Sequence, residues 1–412
     1  MSIDISNENQ VQRVIIAVVD TGEYDVESSI KELTLLVETA GGEVVAEVIQ
    51  KMPKPDNKTY LGSGKLKELI PVIEDTQADT LITDTELKAS SFRNIREIIE
   101  IDVIDRTMLI LDIFAQHALS AEGKLQVELA QLQHILLTLS GLGQQMSRLG
   151  GGIGTRGPGE TKLETDRRHI RARISYLEKT IEEISDRRAL TRARRKKSNV
   201  PIVSLVGYTN VGKSSLLNAL TGADVYAEDK LFATLDSTLR RLNLRDMQEV
   251  IMVDTVGFVS RLPHHLIDAF SSTLEEMTES DIILKVADAS SSEYLQQLEV
   301  ADEMINRMGC SDIPQIVVFN KCDLIDQINL PGVMVSAKTG YGLDMLLQKI
   351  ADILLERAIR GRFIIPFDKL SLVSIIRQKG IIHTEEYIEE GLEMVATIDS
   401  SVYYIIEQYR MD

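Results

Sequence analysis

The stretch SLVGYTNVGKSSLLNAL, from Ser204 to Leu220, passes from an apolar run through spaced glycines into a helical pattern. Gly207, Gly212, Lys213 and Ser214 stand in the GxxxxGK[ST] spacing, between a strand and a helix as a phosphate loop requires. Glycines let backbone wrap a polyphosphate, the helix N-terminus adds positive dipole, Lys213 reaches the β and γ phosphates, and the Ser214 hydroxyl ligates Mg2+. A second glycine-rich stretch, GGGIGTRGPGE from Gly150 to Glu160, also satisfies GxGxxG with Gly152, Gly154 and Gly157. A dinucleotide turn needs a preceding strand inside a βαβ unit, and here a helical pattern precedes it. The phosphates therefore belong to Gly207–Ser214, with Tyr208, Thr209, Asn210, Val211 and Ser215 completing the loop.

Guanine specificity follows from NKCD, Asn320 to Asp323, after the apolar run IVVF. Asp323 can accept from the paired N–H donors of guanine, which adenine lacks. Asn320 and Lys321 brace the pocket, and SAK (Ser336, Ala337, Lys338) closes on the base through backbone N–H groups. DTVG supplies Asp254 for Mg2+, through water, with Thr255 and Val256 leading to Gly257, whose N–H meets the γ phosphate. FATLD (Phe232, Ala233, Thr234, Leu235, Asp236) offers Thr234 as a second hydroxyl on Mg2+, with Thr238 as competitor. Lys213, Thr234 and Gly257 are the expected catalytic groups; Ser214, Thr234 and Asp254 are the expected metal set.

The whole chain bounds the reading further. With 412 residues, 44% hydrophobic and 26% charged, it is expected to be multidomain and cytoplasmic, lacking both a signal-peptide core and any apolar run of about 20 residues. Cys310 and Cys322 are too few for a disulfide framework or metal cluster and read as reduced. The net charge of −18 conceals a contrast: between Arg148 and Lys197 stand 15 Lys and Arg against 7 Asp and Glu, so the remainder carries −26. That basic segment is either a solvated helix face or a surface for a polyanion. The pair His264 and His265 reads as surface or switch residues.

Residues 13 to 105 alternate apolar runs with helical patterns, predicting a parallel α/β layer. GSGKL at Gly62–Leu66 lacks the glycine spacing and hydroxyl of a phosphate loop and opens a helix instead. Leu125, Leu129, Leu132, Leu136 and Leu139 then recur at spacings of 4 and 3, as do Ile170, Ile174, Leu177, Ile181 and Ile184 beyond the glycines. Two such stripes predict an antiparallel helical hairpin with GGGIGTRGPGE at its tip. That tip is either a flexible connection or nearly bare backbone that lays Arg148 and Arg156 on another surface. A second α/β pattern ends in the helix MLLQKIADILLERAI near residue 359, and the last 50 residues read as α+β, with RFIIPF and LEMVATI as strands. The fold class is α/β, multidomain: an N-terminal α/β subdomain (1–120), a basic helical hairpin (121–198), a P-loop GTPase domain (199–359) and a small C-terminal α+β domain (360–412).

The order GYTNVGKS, FATLD, DTVG, NKCD, SAK resembles translation-factor-type GTPases over about residues 200 to 358. Ras-like members carry a water-orienting glutamine after the DxxG glycine; Phe258 stands there and cannot do that work. Asn210 is similar to the potassium-binding asparagine of some such GTPases, so either K+ contributes charge or Asn210 shapes the loop. YLGSGKLKEL, DRTMLILDIFAQHA, GGGIGTRGPGETKLETDRR, FATLD and DTVGF together resemble the HflX family of ribosome-associated GTPases over about residues 14 to 358. That resemblance implies a GTP hydrolase with Mg2+ that binds the large ribosomal subunit, splits or rescues stalled or stress-damaged ribosomes, and extends its hairpin tip toward the RNA of the peptidyl-transferase region; the chain is expected to be a monomer. Candidate RNA contacts are Arg148, Arg156, Arg167, Arg168, Arg171 and Arg173. The alternatives are a GTP-dependent switch acting on a protein partner, with peripheral membrane association, and an RNA-remodelling enzyme using the N-terminal unit, which no second phosphate loop supports.

Overall fold

Apolar strands alternating with helices build the expected N-terminal layer. β1 (Arg13–Asp20), β2 (Glu43–Lys51), β3 (Thr80–Thr83) and β4 (Asp102–Asp105) form an all-parallel sheet in the order β2-β1-β3-β4. The crossovers are α1 (Val26–Thr39), α2 (Ser63–Thr76) and α3 (Ala89–Ile99), so Gly62–Leu66 opens a helix as its sequence predicts. The computed structural model describes residues 11–149, 158–198, 200–222, 231–232, 238–244, 249–261, 266, 276–326, 330–356, 358–399, 403 and 405–411. Arg156, Ala233, Thr234, Leu235, Asp236, His264 and His265 lie outside them, as does most of the glycine-rich stretch. The described part of that stretch, Pro158–Glu160, already belongs to a helix.

By contacts the chain divides into two compact units: residues 1–186 with 229–236 and 261–271, and residues 187–228 with 237–260 and 272–412. In the first, α4 (Arg106–His117), α5 (Ala121–Leu149) and α6 (Pro158–Ser198) follow the sheet. The two long helices are antiparallel: Arg173 forks onto Glu128 with bonds of 2.7 and 2.9 Å, and the Arg167 guanidinium donates to the Leu139 carbonyl. On α6, Ile174 and Leu177 are buried, in keeping with the predicted stripe. On α5 the most deeply buried positions are Val127, Ala130 and His134 rather than the leucines, because α5 also packs on α3 and α4. His134 Nε2 lies 3.4 Å from Asp105, whose carboxylate also accepts from Leu87 N and caps α4 at Met108 N. Burial opposes charge on His134, but the Asp105 carboxylate outweighs it and holds its pKa above the ordinary value.

A charge cluster closes the carboxyl ends of β1 and β3. Asp84, almost fully buried, receives Arg106 at 2.9 Å and Arg261 at 2.7 Å, while Arg106 also reaches Glu32 at 2.7 Å. Arg261 additionally contacts the Ser29 hydroxyl and stacks 4.3 Å over the Tyr24 ring. Desolvation, aided by the Asp84 charge, pushes the Tyr24 pKa up. Nearby, Phe232 meets Phe114 edge-on at 4.5 Å, and Leu231 N donates to the Thr39 hydroxyl at 3.4 Å.

The second unit holds a six-stranded sheet in the order β10-β9-β8-β5-β7-β6: β5 (Ile202–Gly207), β6 (Thr238–Asn243), β7 (Glu249–Asp254), β8 (Ile282–Asp288), β9 (Gln315–Asn320) and β10 (Val333–Met334). All described neighbours are parallel except β6, which runs antiparallel at the edge. Helices α7 (Lys213–Thr221), α8 (Tyr294–Arg307) and α9 (Leu343–Glu356) belong to the same unit, with Leu216, Leu217, Leu346 and Ile350 in the sheet's core. The helix expected to reach residue 359 stops at Glu356, because Ala358 and Ile359 already pair with Asp399 and Ile398. They open β11 (Ala358–Ile365), which joins β12 (Gly380–Ile388), β13 (Gly391–Asp399) and β14 (Arg410–Met411) in an antiparallel sheet covered by α10 (Ser371–Lys379). Leu392, Met394, Ala396 and Ile398 line one buried face, as their alternation predicts.

Asp112 on α4 provides a test of the α4–α5 packing. Burial lifts its pKa from 3.8 to about 6, against the Gln131 amide that donates to it at 3.3 Å. The folded carboxyl therefore binds more protons than the unfolded one between those values, and this contribution is lost as pH rises through them. Asp112→Asn should raise stability at pH 7.5 by on the order of 2 kcal/mol and leave it unchanged at pH 4. Thermal melts at both pH values check this; an equal shift at both would refute it.

Candidate functional site

Three glycines fix the backbone around which the site is arranged. A Cβ on Gly207 would sit 2.2 Å from the Val286 carbonyl of β8, and one on Gly212 would sit 2.4 Å from Asn320 Nδ2 in a left-handed backbone with φ +85°. A Cβ on Gly257 would meet Thr209 at 2.7 Å and Lys213 Nζ at 3.0 Å. These are sterically closed to other residues. The loop so formed delivers α7 with Gly212 as N-cap and no side chain capping it, which leaves its first N–H groups pointing at the loop.

Lys213, 7% exposed, donates to the carbonyls of Tyr208 at 2.8 Å and Gly207 at 3.1 Å. Burial drags its pKa down to about 8, with the Asp254 charge acting in the opposite direction. The Ser214 hydroxyl donates to Asp254 Oδ2 at 2.6 Å, bringing two expected metal ligands together at the ends of α7 and β7. No group of three or more His, Cys, Asp or Glu able to hold a metal occurs among the described residues. Thr238, the competitor to Thr234, pairs with Asp254 in the β6–β7 ladder.

The residues after Gly257 are zipped to the phosphate loop. Phe258 N donates to the Gly207 carbonyl at 3.1 Å, and Thr209 N donates to the Phe258 carbonyl at 2.7 Å. Phe258 itself is 2% exposed, so its ring is core material. The Tyr208 hydroxyl accepts from Ser260 N at 2.7 Å and pairs with the Ser260 hydroxyl at 2.8 Å. This tie was not legible in the motifs, since Tyr208 occupies a variable position of GxxxxGK[ST].

Asn320 joins the two halves of the nucleotide site: its Nδ2 donates to the Val211 carbonyl at 2.9 Å and its Oδ1 accepts from Ala337 N at 3.0 Å. Lys321, with φ +61°, reaches the Asn210 carbonyl and Asp288 Oδ2, both at 2.8 Å. Sequence reasoning missed Asp288; the signal available was an acidic residue ending a buried strand beside β9. Asp323 is exposed, and one of its oxygens accepts from the buried Ser336 hydroxyl at 2.6 Å, which orients the carboxylate. Asn210 has φ +62°, and its backbone carbonyl accepts from Lys321 Nζ at 2.8 Å. Phe232 of FATLD lies in the first unit, buried against Phe114.

The RNA candidates separate on inspection. Arg168 and Arg171 are exposed on α6, whereas Arg173 is engaged by Glu128 and Arg167 by the Leu139 carbonyl, so these two tie the hairpin together. Arg148 lies in α5.

Comparison with known proteins agrees with this layout. Residues 27–115 match the GTP-binding GTPase N-terminal family, 117–195 the GTP-binding GTPase middle region, and 202–321 the family described as 50S ribosome-binding GTPase. The chain is 45% identical to the GTPase HflX of Caldanaerobacter subterraneus subsp. tengcongensis, covering 94% of this chain and 91% of the relative. It is 40% identical to the GTPase HflX of Escherichia coli, covering 92% and 91%. Among solved structures, a GTP-binding protein from Sulfolobus solfataricus in complex with GDP is 28% identical over 83% of this chain and 98% of that one, with a TM-score of 0.44.

The Lys213 environment predicts how nucleotide binding responds to pH. A phosphate favours the ammonium, so protonation and binding are linked and affinity falls once the free lysine deprotonates. The dissociation constant for GDP should rise about tenfold between pH 7 and 9 and stay level below pH 7. Calorimetric titration checks this, with Lys213→Gln expected to bind weakly and without that pH dependence.

Proposed function

The chain belongs to the HflX family of GTPases, and we propose that it binds the large ribosomal subunit and couples GTP binding and hydrolysis to the dissociation or rescue of stalled or stress-damaged ribosomes. The observation that carries this reading is the antiparallel hairpin of α5 and α6, whose sequence from Arg148 to Lys197 is strongly basic on an otherwise acidic chain. One element suited to RNA phosphates, on a chain that elsewhere repels them, favours a defined RNA site over general adhesion. The match of residues 202–321 to a family described as ribosome-binding supports the same conclusion.

The reaction is GTP hydrolysis, and the chain's own residues supply binding and orientation. Loop backbone N–H groups and the α7 N-terminus receive the phosphates, and Lys213 leaves the loop carbonyls for the β and γ oxygens. Gly257 N–H meets the γ phosphate, and Asp323 reads guanine while Asn320 and Lys321 hold the two loops in register. Ser214 and Asp254, hard oxygen donors already adjacent, fit Mg2+ with Thr234 as further ligand, and the ion when bound neutralises charge on the phosphate oxygens. Arg148, Arg156, Arg168 and Arg171 are the proposed RNA contacts; Arg167 and Arg173 serve chiefly to join α5 to α6. The division at residues 120 and 198 is the organisation proposed for these tasks, with the boundary expected at 359 moved ahead of Ala358, where β11 of the C-terminal sheet begins.

Purified large subunits should raise GTP turnover well above the basal rate. Absence of both stimulation and salt-sensitive subunit binding would favour a switch acting on a protein partner. Charge reversal of Arg168 and Arg171 together should reduce the salt dependence of subunit binding by roughly two counterions and lower stimulated turnover relative to the variant's own basal rate. An unchanged salt slope would remove this face of α6 from the interface.

A further inference from the structure

Phe258 occupies the place of the water-orienting glutamine, and its buried ring and zipped backbone exclude it from that role. The water is then oriented by another residue or by a partner, or unassisted hydrolysis is slow. The hydroxyls around the loop are mostly committed. Ser214 donates to Asp254, Thr255 donates to the Leu205 carbonyl at 2.6 Å, Ser260 is held by Tyr208, and Ser336 is held by Asp323. Thr209 differs from these described hydroxyls: its residue is 5% exposed, and its Oγ1 is buried without a hydrogen-bond partner among the described residues.

Its position matters as much as its lack of a partner. The Thr209 methyl and Cα and Lys213 Nζ all lie within 3.0 Å of the point where a Cβ on Gly257 would stand. Thr209 and the phosphate-loop lysine thus both stand beside the DxxG glycine, and Lys213 and Gly257 are the two groups assigned to the γ phosphate. Thr209 N is fixed on the Phe258 carbonyl at 2.7 Å, so the side chain cannot drift with a mobile loop. A buried hydroxyl left unpaired costs stability, and such a cost is tolerated where a ligand completes the bond.

We propose that Thr209 Oγ1 is the catalytic hydroxyl that orients the attacking water against the γ phosphate, in place of the missing glutamine. The proposal rests on the assignment of Gly207–Ser214 as the phosphate loop. The hydroxyl accepts a hydrogen bond from the water and donates one to a γ oxygen, a pairing that a threonine can satisfy in both directions. The water oxygen forms its bond to the γ phosphorus as the bond to the β–γ bridging oxygen breaks. That electron pair leaves on GDP, the water proton ends on the released phosphate, and Thr209 is unchanged at the end of the cycle. Its contribution is positioning of a reactant rather than proton abstraction.

The test compares Thr209→Val, which keeps the shape and removes the hydroxyl, with Thr209→Ser, which keeps the hydroxyl. In the full-length protein, Thr209→Val should lower kcat for GTP by about 10- to 100-fold, with the dissociation constant for GDP, which lacks the γ phosphate, within about twofold of the parent. Thr209→Ser should hydrolyse within about threefold of the parent. The nucleotide-free Thr209→Val protein should melt at the parent temperature or above, since the hydroxyl it loses has no partner in the free fold. A Thr209→Val rate within twofold of the parent overturns the proposal, as does a Thr209→Ser rate as low as that of Thr209→Val. Lys213→Ala separates the two levels. If it hydrolyses GTP at the parent rate, the phosphate-loop assignment itself fails; if it is inactive while Thr209→Val is unimpaired, only the role of Thr209 is lost.

Discussion

The nucleotide site depends on backbone approaching backbone more closely than any side chain would allow. Gly207 lies against the Val286 carbonyl, Gly212 against the Asn320 amide, and Gly257 against Thr209 and Lys213. These three contacts place β5, β7, β8 and β9 in one register at their carboxyl ends. Everything chemical then follows from what the closeness permits: Asn320 can bridge the phosphate loop and the base loop, Thr209 can bond the Phe258 carbonyl, and the α7 N–H groups remain open to phosphate. A methyl group at Gly207 would push β5 from β8, one at Gly212 would displace the Asn320 amide, and one at Gly257 would press on Thr209 and Lys213.

The first unit is organised by charge where the second is organised by glycine. Asp84 and Arg106 are fully buried, while Glu32 and Arg261 complete the cluster from its more exposed side. Two carboxylates and two guanidiniums balance, whereas any three of them leave a buried charge, and breaking such a set is far more costly than its net contribution suggests. Arg261 adopts φ +54° to reach the cluster, a conformation that non-glycine residues rarely take and that its ion pair and the Tyr24 ring offset.

What the sequence revealed was whatever has a local signature. The phosphate loop announced itself by spacing, the N-terminal layer by apolar runs between helical patterns, and the hairpin by two stripes with the same rhythm. The guanine loop was legible because NKCD follows a buried strand. Features made by distant partners were hidden. Val127, Ala130 and His134 form a second buried face on α5, obscured by the more conspicuous leucines, because only α3 and α4 give that face its purpose. β12, with HTEEYI at its core, is an edge strand whose exposed positions carry charge and so lacks strong alternation. Tyr208 looked like a free position of the loop until Ser260 was found on its hydroxyl. Arg167 and Arg173 looked like two more members of a basic run, and only their partners Leu139 and Glu128 distinguish them from Arg168 and Arg171.

The division of the chain also bears on the order in which it can mature during synthesis. Residues 1–186 emerge first, but the unit they build is completed by residues 229–236 and 261–271. At about 5–20 residues per second, the last of these follows some seconds after the hairpin has left the exit tunnel. During that interval Asp84 and Glu32 have Arg106 but not Arg261, and Phe114 has yet to meet Phe232. The N-terminal unit therefore gains its contacts from Phe232 and Arg261 only after translation has passed those residues.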